Sequence, residues 1–357
     1  MADFVIRPVA ELAPAQVADF LRRMFDPVKG AFLADWGCWW HGGDENRFGV
    51  LAEDGTLAAY FAITPMQCVL AGAVWDSLWW IDLIVDPAFR RRGLQTVMDD
   101  AVRTRPGLKL GFPNEFHSTI LARHGWGVRG DLRKQMLPLR LHRVRFVQQA
   151  AGWRGRLLRL GAGLARPGLA GLRGWWGRYR PRYTQAWPEA TPAALAAIFA
   201  QVQAQEDPAG EVMTTQRSAA FFQWRYFDCP YRAELRFYRA LLADGRAGYA
   251  IARFSDLRGL KSVRILDLYG DFGHQGLLRD LLATIRRDAV QAGADQVIIL
   301  SSLSSRPGLR TALGAGGFSI SVPVYFCWHG QDPPLHEQLQ QQPLYWTLAD
   351  SDNDEPH

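Results

Sequence analysis

The chain has 357 residues, 48% hydrophobic and 21% charged, an ordinary globular composition with room for two domains that each bury a core. No apolar run approaches the roughly 18 residues that cross a bilayer, and the opening Met1-Ala-Asp-Phe-Val-Ile-Arg7 alternates like a first strand. On these features the expectation is a cytoplasmic protein, with no secretory leader or membrane span, that at most rests peripherally on the inner face of a membrane. The net charge of +6 is unevenly placed, with eleven arginines and no acidic residue from Leu139 to Arg182.

In chain order, Phe4 to Pro8 reads as a strand, and Ala13 to Phe25 has helix period with Val17, Phe20, Leu21 and Met24 on one face. The aromatic stretch from Phe32 to Gly43 gives no clear period. Phe48 to Glu53 and Leu57 to Thr64 flank Asp54-Gly55 as a hairpin. A longer hairpin runs from Met66 through Gly72 to Val85 and feeds a basic loop ending at Gly93. A helix follows from Leu94 to about Arg103, then a strand from Leu108 to Phe112, a helix capped by Asn114 and ending at His124, and closing strands that end near Leu139. Cys38, Cys68, Cys229 and Cys327 share no metal-ligand spacing, so a metal site is not expected.

Beyond the basic segment the pattern recurs. Thr191 caps a helix from Pro192 to Gln203, and a second helix spans Ser218 to Phe227. Leu235 to Leu242 and Ala247 to Phe254 flank Asp244-Gly245 as a second hairpin. Ser262 to Tyr269 is a strand, Leu277 to Ala292 a helix, Gln296 to Leu300 a strand and Pro307 to Ala315 a helix, with Ser319 to Trp328 closing the sheet. Leu51-Ala-Glu-Asp-Gly-Thr-Leu-Ala-Ala-Tyr60 also echoes Leu242-Ala-Asp-Gly-Arg-Ala-Gly-Tyr249, and Ile81-Asp-Leu83 echoes Leu266-Asp-Leu268. A repeat of about 190 residues indicates duplication of a domain.

The stretch Ile81 to Met98 places an apolar strand, a turn opened by Asp86-Pro87, a basic loop and a helix start in succession. Backbone N–H groups and the positive helix end then converge on one point, with Arg90, Arg91 and Arg92 supplying charge suited to a diphosphate. Val85-Asp-Pro-x-x-Arg-Arg-x-Gly93 resembles the acyl-CoA pyrophosphate loop of the GNAT superfamily of N-acetyltransferases. The family pattern Gln/Arg-x-x-Gly-x-Gly/Ala is matched by Arg90-Arg-Arg-Gly93-Leu-Gln95 except at Gln95. The resemblance implies an α/β (α+β mixed sheet) fold of two tandem GNAT-like domains, the second degenerate. The expected divisions are residues 1–139, a basic connector at 140–183, the second domain at 184–330 and a tail at 331–357. In the second copy Asp271-Phe-Gly-His-Gln-Gly276 is shorter and lacks arginine. Gly111-Phe-Pro-Asn-Glu115, Trp224-Arg-Tyr226 and Trp346-Thr-Leu-Ala-Asp-Ser-Asp352 resemble segments of tandem proteins associated with bacterial cell-surface polysaccharide synthesis.

By that resemblance, acetyl-CoA or another acyl-CoA is the donor. Its diphosphate would lie on Arg90 to Arg92, Gly93, Leu94 and Gln95, its thioester on the backbone of Leu83, Ile84 and Val85, and Asn114 would border the site. Asp82 has two readings, a general base or a structural strand aspartate, and Asp267 at the matching place favours the second. Leu121 stands where the family often places a tyrosine acid. His117 is then either a substitute acid or a surface or capping histidine.

Trp153, Leu157, Leu160 and Leu164 form one helical stripe in the basic connector, flanked by arginines. This pattern suits peripheral contact with an anionic membrane through residues 140–182; nucleic acid fits less well, and the alternative is a packed linker. The expected function is an acyl-CoA-dependent N- or O-acyltransferase acting on an amino sugar or lipid-linked glycan intermediate. Fem-like aminoacyl or peptidyl transfer and a non-catalytic CoA-binding regulator are the alternatives.

Overall fold

The computed structural model of the chain describes residues 4–149, 151–257, 259–302, 306–330 and 333–350. Its strands are β1 (Val5–Pro8), β2 (Arg47–Leu51), β3 (Leu57–Leu70), β4 (Ala73–Val85), β5 (Leu108–Gly111), β6 (Gly127–Pro138), β7 (Thr184–Ala186), β8 (Thr214–Thr215), β9 (Leu235–Leu241), β10 (Ala247–Leu257), β11 (Leu260–Gly270), β12 (Gln296–Ser302) and β13 (Ile320–His329). Its helices are α1 (Pro14–Met24), α2 (Pro27–His41), α3 (Leu94–Arg103), α4 (Glu115–Arg123), α5 (Arg145–Gln149), α6 (Gly152–Leu164), α7 (Arg166–Trp176), α8 (Pro192–Glu206), α9 (Ala219–Phe222), α10 (Gln275–Gln291), α11 (Pro307–Gly316) and α12 (Pro333–Gln341).

The strands join in one mixed sheet of order β1-β2-β3-β4-β5-β13-β6-β12-β11-β10-β9-β7, with β8 on the side of β3. Only β4 with β5 and β11 with β12 pair in parallel; the other pairs are antiparallel. From either end the order therefore reads as the same half, and the two halves meet between β13 and β6. The mixed α/β, duplicated architecture expected from the sequence is present. One feature was not anticipated. Each half's closing strand lies beside the other half: β13 pairs with β5, while β6 pairs with β12. Cys327 thus stands opposite Gly111, and Leu137 opposite Val297.

Local chemistry explains the hairpins. Gly55 (φ +79°) and Gly245 (φ +86°) take left-handed conformations that L side chains resist, after Asp54 and Asp244 side chains that accept from the next-but-one backbone N–H. The aromatic stretch that shows no period belongs to α2. Asp26 caps this helix by accepting from Val28 N, Pro27 opens it, and Gly42 (φ +70°) ends it. Its apolar residues surround the helix because it is buried on more than one side: Phe32, Leu33 and Trp40 lie in the core, and Gly30 lets α1 approach closely. The expected helix over 218–227 becomes the short α9 followed by a π-helical turn, Gln223–Phe227.

Candidate acyl-CoA cleft

The site is built on β4. Between Ala62, opposite Ile81, and Tyr60, opposite Ile84, the register slips by one residue. Asp82 and Leu83 together then face Phe61, and Asp82 takes φ +55°, a left-handed geometry that aspartate tolerates better than most residues. On its other edge β4 pairs with β5 only from Ser77 to Trp79. β5 ends at Gly111, and Pro113 has no N–H to extend the ladder. The strands part there, leaving Leu83, Ile84 and Val85 half-buried along an open edge.

At the end of that edge Asp86 accepts from Ala88 N and pairs with Arg23 of α1 at 2.9 Å, fixing the turn. Arg91 (φ +64°) and Gly93 (φ +81°) are both left-handed, and Gly93 caps α3 without a side chain. The Leu94 and Gln95 N–H groups therefore head the helix free of intrahelical bonds. Arg90, Arg91 and Arg92 are exposed around them, with Arg92 lying 5.2 Å over Phe89. The Gln95 side-chain nitrogen is buried without a hydrogen-bond partner beside the same helix start. This cradle fits a diphosphate.

The second half also has a one-residue bulge, at Leu266, since Ile251 faces Asp267 and Ala252 faces Ile265, but its loop is filled from within. His274 Nδ1 accepts from Leu277 N at the start of α10, where Gly93 leaves α3 open.

The structure brings Asp82, on β4, and His117, on α4, to one cleft. The cavity, of about 160 Å³, is lined by Lys29, Trp80, Ile81, Asp82, Leu83, Gly111, Phe112, Asn114, His117 and Leu121, among others. The Asp82 carboxylate is fully buried, with Lys29 Nζ at 2.6 Å, Trp40 Nε1 donating at 3.2 Å and His41 Nε2 at 3.3 Å. Burial opposes its charge, but Lys29 and His41 outweigh that and hold its pKa well below the usual carboxylate range. A carboxylate so engaged is a poor proton acceptor. The corresponding Asp267 is likewise buried, against Arg217, Tyr249 and Thr347.

His117 differs. It stacks edge-on against Trp80 at 5.9 Å, its backbone N–H is taken by the Asn114 side chain, and its Nε2 is buried without a partner. Burial lowers its pKa, so the imidazole is neutral at physiological pH. A neutral ring with a free nitrogen suits a proton acceptor better than the substitute acid that was one of its two sequence readings. Asn114 is engaged as the α4 cap, and Leu121 supplies only an apolar wall. Sequence reasoning missed Lys29, Trp40 and His41. Their signal was the Asp26-Pro27 helix start, which places Lys29 on the first turn and Trp40 and His41 on the last.

A larger groove of about 870 Å³ lies at the opposite end of β4. It is lined by Met66, Trp75 and Leu78 of the first half and by Ser218, Phe221 and Trp224 of the second, among others. A small gap lies between groove and cleft: Thr64, Met66 and Trp224 border both groove and gap, and Ile81 borders both gap and cleft. The segments resembling polysaccharide-synthesis proteins meet near this gap, where Phe112 stacks on Trp79 at 4.9 Å and Trp346 packs edge-on against it at 5.2 Å. Ser351 and Asp352 of the last segment lie outside the described residues.

No family model and no curated protein matches the sequence. Solved structures do. Saccharomyces cerevisiae N-myristoyltransferase with bound myristoyl-CoA aligns at TM-score 0.59 and 12% identity, over 92% of this chain and 83% of that one. The chain has the GNAT fold. A probable N-acyltransferase from Enterococcus faecalis V583 is similar at TM-score 0.55 and 11% identity, over 92% and 72% of the two chains. A GCN5-related N-acetyltransferase from Kribbella flavida aligns at 0.52 and 15%, over 92% and 71%.

Proposed function

We propose that this GNAT-fold protein is an acyl-CoA-dependent N- or O-acyltransferase with one working donor site, in its first half. The observation that carries the reading is the coincidence on β4 of a left-handed bulge, an unpaired strand edge and an arginine-rich helix start. Acyl-CoA supplies the activated thioester. Leu94 and Gln95 N–H, with Arg91 and Arg92, bind its diphosphate, and the free edge at Leu83 to Val85 orients the acyl carbonyl and stabilises negative charge on its oxygen. His117 Nε2 accepts a proton from the attacking amine or hydroxyl as the acyl carbon bonds to it, and the acyl C–S bond then breaks with CoA leaving as its thiolate. Asp82, tied to α2 by Lys29, Trp40 and His41, holds the bulge and is a positioning residue.

The acceptor enters by the groove on the far side of β4. Its mixture of tryptophan faces and polar groups, including Asn46, Gln67 and Gln216, suits an amphipathic acceptor. An amino sugar or lipid-linked glycan intermediate fits that description, in keeping with the three sequence segments near the gap. The test is calorimetric titration of the full chain with CoA, followed by an assay of thiol release from acetyl-CoA and longer acyl-CoAs against a panel of amino sugars and glycolipids. One CoA site and acceptor-dependent thiol release are expected. Absence of CoA binding would overturn the donor reading, and CoA binding without turnover on any acceptor would return the protein to a binding role.

A further inference from the structure

Among the described side chains of helix α6, Gly155 and Ala162 are buried, whereas Trp153 (69% exposed), Leu157 (57%), Leu160 (62%) and Leu164 (76%) line a solvent face. On α7, Leu172 and Trp175 are exposed as well. A soluble helix ordinarily turns such residues inward and its small ones outward. These six account for nearly half of the large apolar side chains exposed among the described residues, and all lie within 23 positions of sequence. Clustering of that kind marks an interaction surface.

The surface is held in place at both ends. Leu139 and Arg140 donate their backbone N–H groups to Asp295 O, and the Arg140 guanidinium lies 3.2 Å from the Asp295 carboxylate. At the other end Trp176 is buried beneath the Arg286 guanidinium at 4.7 Å, and Asp280 accepts from Tyr179 OH and from the backbone N–H groups of Arg182, Tyr183 and Thr184. Trp176 is therefore an anchor to α10, and Trp175 alone of that pair faces outward.

Charge identifies the partner. The eleven arginines of this segment exceed the net charge of the whole chain, so everything outside it is net acidic. A second copy packed platform to platform would bring like charges together. Nucleic acid would use the arginines and tryptophans but leave the leucine stripe without a counterpart, since single strands bind by stacking on aromatic rings. An anionic lipid surface satisfies both features, taking the apolar stripe to the depth of the acyl boundary while the cations meet the headgroups. We infer that α6 and α7 form a fixed platform that docks the protein on an anionic membrane.

The experiment uses the full chain and sedimentation with vesicles of phosphatidylcholine, alone or mixed with phosphatidylglycerol. Binding is expected only to the mixed vesicles, is weakened strongly by molar salt, and shifts tryptophan emission to the blue in a way that Trp175→Phe diminishes. Replacing Leu157, Leu160 and Leu164 together by serine, on an exposed face, is expected to leave the melting temperature unchanged and lower vesicle affinity by about tenfold or more. Failure of the wild type to bind mixed vesicles at low salt would overturn the inference. So would equal binding to phosphatidylcholine alone, or undiminished vesicle binding by the folded triple variant. Tight binding of single-stranded oligonucleotide with no vesicle binding would assign the platform to nucleic acid instead.

Discussion

Lys29 and Asp82 form a 2.6 Å ion pair with side chains almost wholly withdrawn from water, one on the first turn of α2 and the other at the bulge of β4. The pair joins the helical layer to the strand that would carry the thioester. Lys29→Met would leave a buried carboxylate without its main countercharge, and such losses cost about 3–5 kcal/mol. Lys29→Met with Asp82→Asn should recover much of that. Urea unfolding of the two single variants and the double variant measures the coupling; additive losses would mean that the pair is energetically idle.

Acid should destabilise the fold in two stages. Burial lowers the pKa values of His41 and His117 below their ordinary 6.5. Between 6.5 and the depressed values the unfolded chain binds protons that the folded chain does not, so stability falls as pH falls through that interval. Asp82, also depressed, adds its loss lower down, as pH drops below its ordinary 3.8. Urea midpoints from neutral to mildly acidic pH should decline, and less steeply in His117→Gln.

His117→Gln is also the catalytic test. Turnover should drop by about 10²–10⁴-fold, the scale of a lost general base, with CoA affinity nearly unchanged. In the wild type kcat should fall on the acidic side, as the ring takes up its proton below its ordinary pKa, and the variant should lose that limb. Near-normal turnover in folded His117→Gln would assign the ring to the Trp80 packing cluster.

Donor binding should be asymmetric. Arg91→Ala with Arg92→Ala should weaken CoA by about 2–4 kcal/mol, at roughly 1.5–3 kcal/mol per charged hydrogen bond with some redundancy. The second half should contribute no site, because His274 already occupies the start of α10. Two equivalent sites by calorimetry would contradict the asymmetry.

Ala220 is exposed on the rim of the large groove, where a bulky side chain intrudes without disturbing a core. Ala220→Trp should raise the acceptor KM by about tenfold while leaving CoA binding intact. An unchanged KM would place the acceptor elsewhere.

The arginine loop was legible because its chemistry is local. Strand, turn, cations, Gly93 and helix follow one another within a few residues, and each demands a particular backbone. The bulge at Asp82 was less so, since a one-residue slip depends on how Tyr60 and Ala62 meet the partner strand. Lys29 and His41 were missed because α2 is apolar nearly all round, so no stripe marks its period. The exchange of closing strands left no trace in sequence: Gly127–Pro138 and Ile320–His329 are both strand-like, and nothing in either indicates whose edge it covers.

That exchange bears on how the protein is made. β5 ends at Gly111, yet the neighbour that shields its outer edge includes Cys327. During synthesis the first half emerges with that edge bare and waits for more than two hundred further residues before its partner strand leaves the ribosome. At about 5–20 residues per second the wait lasts on the order of ten seconds or more, during which an open strand edge invites pairing with other chains. Completion of the first half is thus postponed until β13 is made. A nascent chain arrested before β13 should be protease-sensitive in its first half, with no stable fragment corresponding to that half alone.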